Sequence, residues 1–283
     1  MASEAKAPRE ISLDSLGIEL QPKQAQLEGA MQATGDGVPT VWGMGGSRGS
    51  AKSGGLRRIG IKLALQHKGI VVYVLRRVRQ DVIENHVEKI KLEFPDVQEF
   101  YKAGPTEYAF PNESRMCMKY AEDKRDVERI SYGPECTFLL VDQAEQFSED
   151  ELVSFRICNR WPSMPKGFPK TGYFFNMGKG IGAGYFRRIF NPKGLSFRPN
   201  ERPADYSFIQ CYAWDNYEWF RGETGLSFDE FYALSSSDRF ALFITETTEG
   251  RKMNQLPKHR RDAELLGNFD SFSGQYFSDV WRM

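Results

Sequence analysis

The stretch Gly43-Met44-Gly45-Gly46-Ser47-Arg48-Gly49-Ser50-Ala51-Lys52-Ser53 holds the residue types that grip a polyphosphate. Glycines let the backbone curl until successive N–H groups point inward, and a helix N-terminus behind them adds a positive dipole. In such a cradle Gly46, Ser47, Arg48, Gly49, Ser50 and Ala51 supply backbone, Lys52 reaches the β- and γ-phosphates of ATP, and the Ser53 hydroxyl ligates Mg²⁺. Ala51 stands where the loop pattern has its second glycine; alanine is tolerated there if φ is negative and strained if φ is positive. The same residue types also make a plain Gly/Ser-rich turn before an ordinary helix, so later segments must decide.

A second group of reactive residues follows. Thr137-Phe138-Leu139-Leu140-Val141-Asp142 is an apolar run ending in aspartate, a Walker B pattern whose carboxylate holds the Mg²⁺ shell opposite the loop serine. Apolar runs ending in Asp are frequent, but a phosphate loop upstream with two β-α units between strengthens this one. Hydrolytic relatives of this layout place Glu next, to polarise the attacking water. Here the residue is Gln143, whose amide orients water but accepts no proton. Three readings stay open: an engineered Glu→Gln exchange that traps ATP, a natural variant in which Glu145 supplies the carboxylate, or a domain that binds ATP and hydrolyses it poorly. Asn176 ends a fourth strand-like run, where it either senses the γ-phosphate and its attacking water or opens a turn. Gln24, upstream of the loop, offers a donor and an acceptor to adenine N6 and N7, or sits solvated at a helix start.

Each of these groups needs an element to carry it. A short apolar run over residues 38–42 leads into the glycine loop, after which Leu56, Ile59 and Leu63 share a helical face, giving strand, turn and helix. A helix opens at Pro22 with Leu27, Ala30 and Met31 spaced for burial. Ile70-Val71-Val72-Tyr73-Val74-Leu75 is uninterrupted and apolar, as in a parallel strand covered on both faces. Arg76, Arg77 and Arg79 follow it, either touching phosphate or DNA or forming a solvated charge run. Ile83, Val87, Ile90 and Phe94 mark an amphipathic helix, and Tyr108-Ala109-Phe110 with Met116-Cys117-Met118 flank a turn as a β-hairpin. Ser148 and Glu151 have capping-box spacing, and helical segments over 228–234 and 237–244 precede the C-terminus. The sum is an α/β fold with a mostly parallel, doubly wound sheet and a helical tail.

Composition bounds the function. Of 283 residues, Lys plus Arg and Asp plus Glu number 38 each, so no global basic field attracts nucleic acid and any DNA surface must be local. Cys117, Cys136, Cys158 and Cys211 form no CxxC pair, and with only His67, His86 and His259 beside them they read as reduced, mostly buried thiols rather than a zinc site. No run of about 18 apolar residues occurs and the N-terminus has no signal-peptide core, which predicts a soluble cytoplasmic protein without a membrane partner. Residues 1–17 read as a loose leader.

Four features stand in order: the arginine-containing glycine loop, the Val141-Asp142 strand with Gln143-Ala144-Glu145-Gln146-Phe147, the Phe175-Asn176 strand, and Gly178-Lys179-Gly180-Ile181-Gly182-Ala183-Gly184-Tyr185-Phe186-Arg187-Arg188-Ile189-Phe190. Together they resemble the ATPase domain of the large terminase subunit, the motor that packages DNA into tailed bacteriophage capsids. The likeness runs from about Leu20 to the C-terminus and includes Phe110-Pro111-Asn112 with Ser114-Arg115, Glu122-Asp123, and Leu265-Leu266-Gly267-Asn268-Phe269-Asp270.

The resemblance implies a P-loop NTPase fold of the ASCE type, with a leader over 1–17, an ATPase core over 18–200, and a helical lid with the start of a linker over 201–283. It implies Gln24 as adenine reader, Lys52 and Ser53 as phosphate and Mg²⁺ ligands, Asp142 as Walker B carboxylate and Asn176 as the residue coupling nucleotide state to movement. Arg48 matches an arginine that relatives carry inside the loop to stabilise transition-state charge, and Arg129 falls where some offer an arginine to a neighbouring subunit. Gln143 departs from the family's usual glutamate, and Met177 stands where relatives often have proline. Full-length relatives continue into an RNase H-like nuclease, so the resemblance implies either an isolated motor domain or loss of the nuclease.

The implied partners are duplex DNA gripped through its phosphates, a portal protein, a small terminase subunit and identical subunits in a ring, at the procapsid in the host cytoplasm; a free subunit would be a monomer. Lys179, Arg187, Arg188, Arg198 and Arg202 are candidate DNA contacts or solvated charges. Two other classes compete. A non-catalytic module using ATP as assembly glue is favoured by Gln143, and a helicase-like remodeller shares the order of motifs.

Overall fold

The computed structural model describes residues 11–161 and 167–271. Among them, one eight-stranded sheet organises the chain: β1 (Val41–Gly46), β2 (Val71–Arg76), β3 (Tyr101–Lys102), β4 (Glu107–Ala109), β5 (Arg115–Tyr120), β6 (Phe138–Asp142), β7 (Lys170–Asn176) and β8 (Tyr206–Cys211). Their spatial order is β3-β4-β5-β2-β6-β7-β1-β8. β5, β2, β6, β7, β1 and β8 run parallel, while β3 and β4 add an antiparallel edge through the expected hairpin. β7 lies between the loop strand β1 and the aspartate-bearing β6, the strand order of an ASCE-type P-loop fold.

Both faces of the sheet are covered, which is why its strands read as unbroken apolar runs. Val72, Val74, Leu140 and Phe174 pack under Leu56, Ile59 and Leu63 of the helix Lys52–Gln66 and under Leu27 and Met31 of the helix Pro22–Gln32. Tyr73, Leu75, Leu139, Val141, Tyr173 and Phe175 face the other way, against Ile130, Leu152, Phe155, Phe186 and Phe190. Alternate residues of one strand thus serve opposite cores. Gly43 and Gly45 belong to β1 itself, where a side chain would collide with the rings of Phe190 and Phe175. The glycine-rich stretch therefore begins as a close-packed strand, and only from Gly46 does it become a loop.

Two boundaries differ from expectation. The sequence reading starts the helical unit at residue 201, whereas β8 completes the core sheet beside β1, and the separate cluster of Trp214, Phe220, Phe231, Phe243 and Met253 begins after Cys211. Parallel pairing with β1 captures a segment whose own pattern is short and weakly alternating. Of the leader, residues 1–10 lie outside the described residues, as do 272–283 of the linker. Residues 11–17 are ordered: Ser12 caps the turn Leu13–Leu16, and Ile11 and Leu16 pack against the core. The four cysteines are free and buried, and no helix among the described residues is long and apolar enough to cross a membrane.

Candidate active site

Strand register assembles the site. Gly46 at the end of β1 pairs with Asn176 at the end of β7 on one side and with Cys211 at the end of β8 on the other, while Asp142 at the end of β6 pairs with Phe174. The carboxyl ends of neighbouring parallel strands thereby bring the loop, the aspartate and the asparagine together.

The loop turns sharply at Gly46, whose φ is +151°, and a Cβ there would overlap the Cys211 carbonyl. Ser47 fixes that approach: its N–H donates to Cys211 O at 3.0 Å and its hydroxyl accepts from Ala213 N. Lys52 folds back over the loop, donating to Ser47 O at 2.7 Å and to the Ser50 hydroxyl at 2.9 Å. Burial lowers the Lys52 ammonium from its ordinary value, against the pull of the Glu145 and Asp142 charges. Ala51 has φ +57°, so the position does require the left-handed conformation, at a cost of about 1 kcal/mol for a residue with a Cβ.

Ser53 donates its hydroxyl to Asp142 Oδ1 at 2.9 Å. The other Asp142 oxygen is buried, 3.2 Å from His86 Nε2 and 3.4 Å from Arg76 Nε. Burial works against ionisation of Asp142, yet His86, Arg76 and Ser53 outweigh it and hold the carboxyl below its ordinary value. Two hard oxygen donors in contact, one of them a carboxylate held in its charged form, fit a Mg²⁺ ion. No cluster of three His, Cys, Asp or Glu side chains suited to a metal occurs among the described residues, so a cation here would keep waters or phosphate oxygens as further ligands.

Gln143 and Glu145 take different roles in space. Gln143 is in the left-handed conformation at φ +49°, and its side-chain oxygen accepts from Gln146 Nε2 at 2.6 Å. That backbone twist throws Glu145 inward onto the short helical turn Ala144–Gln146. Glu145 is 2% exposed; its Oε1 accepts from Asn176 Nδ2 at 2.8 Å and its Oε2 has no partner. Burial raises its carboxyl from the ordinary value, opposed by the Asn176 hydrogen bond and the Lys52 charge. A buried carboxylate with one oxygen held and one unused is a proton acceptor in waiting. The glycine-rich segment seals this turn, with Gly182 N–H donating to Glu145 O at 3.0 Å.

Other expected residues are placed elsewhere. Gln24 is neither solvated nor open to a purine: 1% exposed, it donates to Ala51 O at 3.0 Å and accepts from Gln21 N at 3.1 Å. Beside it a cavity of about 450 Å³, bounded by Gln21, Arg58, Glu93, Phe94, Tyr217 and Phe228, borders the loop helix. The Arg48 side chain is 62% exposed and pairs with Glu264 at 3.5 Å. Arg129 lies outside the site, paired with Asp126 at 2.8 Å on the surface.

Of the arginines at the end of β2, Arg79 is exposed but the other two are not solvated. Arg76 is buried at Asp142, and Arg77 grips Glu151 at 2.7 and 2.9 Å over the Phe147 ring. Of the proposed DNA contacts, Arg188 is bound to Glu149 and Glu201, Arg198 to Glu149, and Arg187 to Asp270. These pairs form because helices and loops distant in sequence converge, which local charge counting cannot see.

His86 gave no sequence signal. It sits in the π-helical turn Ile83–Val87, and that one-residue offset is what aims it at Asp142. Asn216 and Trp219, which bind the loop from the helical unit, were missed likewise.

Solved structures share this fold. The large terminase from a thermophilic bacteriophage, in its complex with ADP, matches with a TM-score of 0.58 at 8% identity, covering 88% of this chain and 54% of that one. Its complex with ATP-γ-S matches with a TM-score of 0.56 at 8% identity, covering 89% and 53%. The HK97 bacteriophage large terminase gives 0.54 at 13% identity, covering 88% and 50%. A mutant ATPase domain of the Thermus phage P74-26 large terminase gives 0.50 at 12% identity, covering 89% of this chain and 95% of that domain. The chain thus spans about half the length of the first two proteins. No protein-family model matches the sequence, and no curated protein matches it. At these identities the likeness establishes the fold.

Proposed function

We propose that this chain is an ATP-hydrolysing motor domain that translocates duplex DNA; the support is a fold shared with large terminases, one of them described as an ATPase domain. The carrying observation is the Glu145–Asn176 pair: a buried carboxylate, two residues past the expected position, oriented by the strand-end asparagine beside the phosphate loop. In this reading Glu145, not Gln143, takes the proton from the attacking water, and Gln143 shapes the turn that delivers it.

Lys52 and the loop amides bind the phosphates, and the purine enters the cavity beside Gln21 and Tyr217. Ser53 and Asp142 would hold Mg²⁺, which neutralises phosphate charge when bound. Asn176 fixes Glu145 and links it to β7 and the loop. Arg48, released from Glu264, supplies charge at the phosphates, and Arg129 serves a neighbouring subunit in a ring. Portal protein, small terminase subunit and DNA phosphates are the partners this reading names, and the infected cell's cytoplasm its setting. The ADP and ATP-γ-S complexes of the thermophilic phage protein support nucleotide binding.

A non-hydrolysing assembly module is the second reading, favoured by Gln143. ATP binding and turnover of this chain, Glu145→Gln and Gln143→Glu, with and without duplex DNA, separate the two. The motor reading expects turnover that duplex DNA stimulates, binding without turnover in Glu145→Gln, and little change in Gln143→Glu. ATP binding with no turnover in this chain or in Gln143→Glu, with or without DNA, would establish the module; turnover in Gln143→Glu alone would make this chain an ATP-trapped motor with its base at position 143.

A further inference from the structure

The carbonyl of Gly49 is held from outside the loop by two side chains distant in sequence. It accepts from Asn216 Nδ2 at 2.9 Å and from Trp219 Nε1 at 2.6 Å, and the Trp219 ring lies against the glycine, 3.1 Å from where a Cβ would stand. Gly49 itself is left-handed, with φ +77°, a conformation that only glycine adopts freely. A trans peptide sets a carbonyl and the following N–H antiparallel. With Gly49 O fastened toward Asn216 and Trp219, the Ser50 N–H must point to the opposite side of the loop.

These two donors are themselves braced. Asn216 Oδ1 accepts from Gln21 Nε2 at 2.9 Å, and Gln21 Oε1 accepts from the Tyr232 hydroxyl at 3.2 Å. The single Tyr232 hydroxyl hydrogen is shared between Gln21 Oε1 and the nearer Asp215 O at 2.9 Å, and Arg239 pairs with the Asp215 carboxylate at 3.1 Å. The network therefore runs from the phosphate loop into the aromatic core of the helical unit, where Phe231 and Phe243 are buried. Nothing in the loop's own sequence supplies these donors.

We propose that Asn216 and Trp219 are positioning residues of the nucleotide site: by holding the Gly49 carbonyl they aim the Ser50 amide into the anion cradle and set its affinity for the phosphate chain. The proposal rests on the nucleotide-binding reading above and names what regulates it. Any movement of the helical unit that withdraws these donors frees the Gly49 peptide to rotate and weakens the cradle. The helical unit thereby controls phosphate affinity through the backbone of the loop.

The test uses the full chain with Trp219→Phe, which keeps a ring and removes the N–H, with Asn216→Ala, and with both. Affinities for ATP and for adenosine are measured by calorimetric titration, and folding is checked by circular dichroism and thermal melting. Each single variant is expected to bind ATP about tenfold more weakly and the double variant more weakly still, with a smaller loss for adenosine in every case. ATP affinity within twofold of the parent in the folded double variant overturns the proposal. So does an equal loss for adenosine and ATP, which marks a general structural role. If Asn216→Ala does not fold, Trp219→Phe alone decides by the same comparison. A parent chain that binds neither ATP nor adenosine sinks the nucleotide-binding reading itself, an outcome distinct from unaffected variants of a binding parent.

Discussion

Asn176 Nδ2 donates to Glu145 Oε1 at 2.8 Å, across the gap between the end of β7 and the turn that follows β6, and Oε2 is buried without a hydrogen-bond partner. Burial raises the Glu145 carboxyl above its ordinary value of 4.5, while this hydrogen bond favours the charged form. A general base must be ionised, so activity falls on the acid side through a pH above the ordinary glutamate range. Asn176→Ala removes a donor to the carboxylate, so the acid limb of kcat/KM moves to still higher pH. Loss of a charge-assisted bond lowers the plateau roughly tenfold or more. A pH–rate profile of parent and variant checks both; an unmoved limb removes Glu145 from the base role.

The contact between Ser53 and Asp142 places the hydroxyl where a cation would join it to the carboxylate. Ser53→Ala is expected to weaken ATP binding by roughly tenfold in the presence of Mg²⁺ and to leave binding in EDTA unchanged. Equal losses in both conditions would mean that the hydroxyl serves the loop and not the cation.

Ala51 at φ +57° carries a strain that glycine relieves. Ala51→Gly is expected to stabilise the fold by about 1 kcal/mol, which for a chain of this size raises Tm by roughly 2–4 °C. Differential scanning calorimetry decides; a lower Tm would mean that the alanine methyl packs well enough to offset its backbone cost.

Lys170 opens β7 with a fully buried side chain whose ammonium donates to Ala30 O at 2.7 Å. Burial lowers its pKa from 10.5 to about 8. Between those values the unfolded chain binds the proton that the folded chain has released, so this group's contribution to stability rises with pH from about 8 and levels near 10.5. Lys170→Met lacks that rise and is more stable than the parent at neutral pH. Urea midpoints of both proteins at pH 7 and pH 9.5 test it, and parallel pH trends would show that Lys170 does not titrate in this window.

The sequence by itself determined the order of the chemistry. Lys52 and Ser53 after the glycine turn, Asp142 at the tip of an apolar run and Asn176 at the tip of the next are local patterns, set by which residues a strand end or helix start tolerates. The doubly covered sheet was likewise legible, because strands buried on both faces must be apolar at every position. Tertiary structure decided the rest. Register placed Asn176 beside Gly46, and the left-handed turn at Gln143 carried Glu145 inward in its place. A π-turn aimed His86 at Asp142, and folding brought Asn216 and Trp219 onto Gly49. Periodicity reports which face of an element is buried; it carries no information on which distant side chain will satisfy a particular buried oxygen, because that is settled only when separate elements pack.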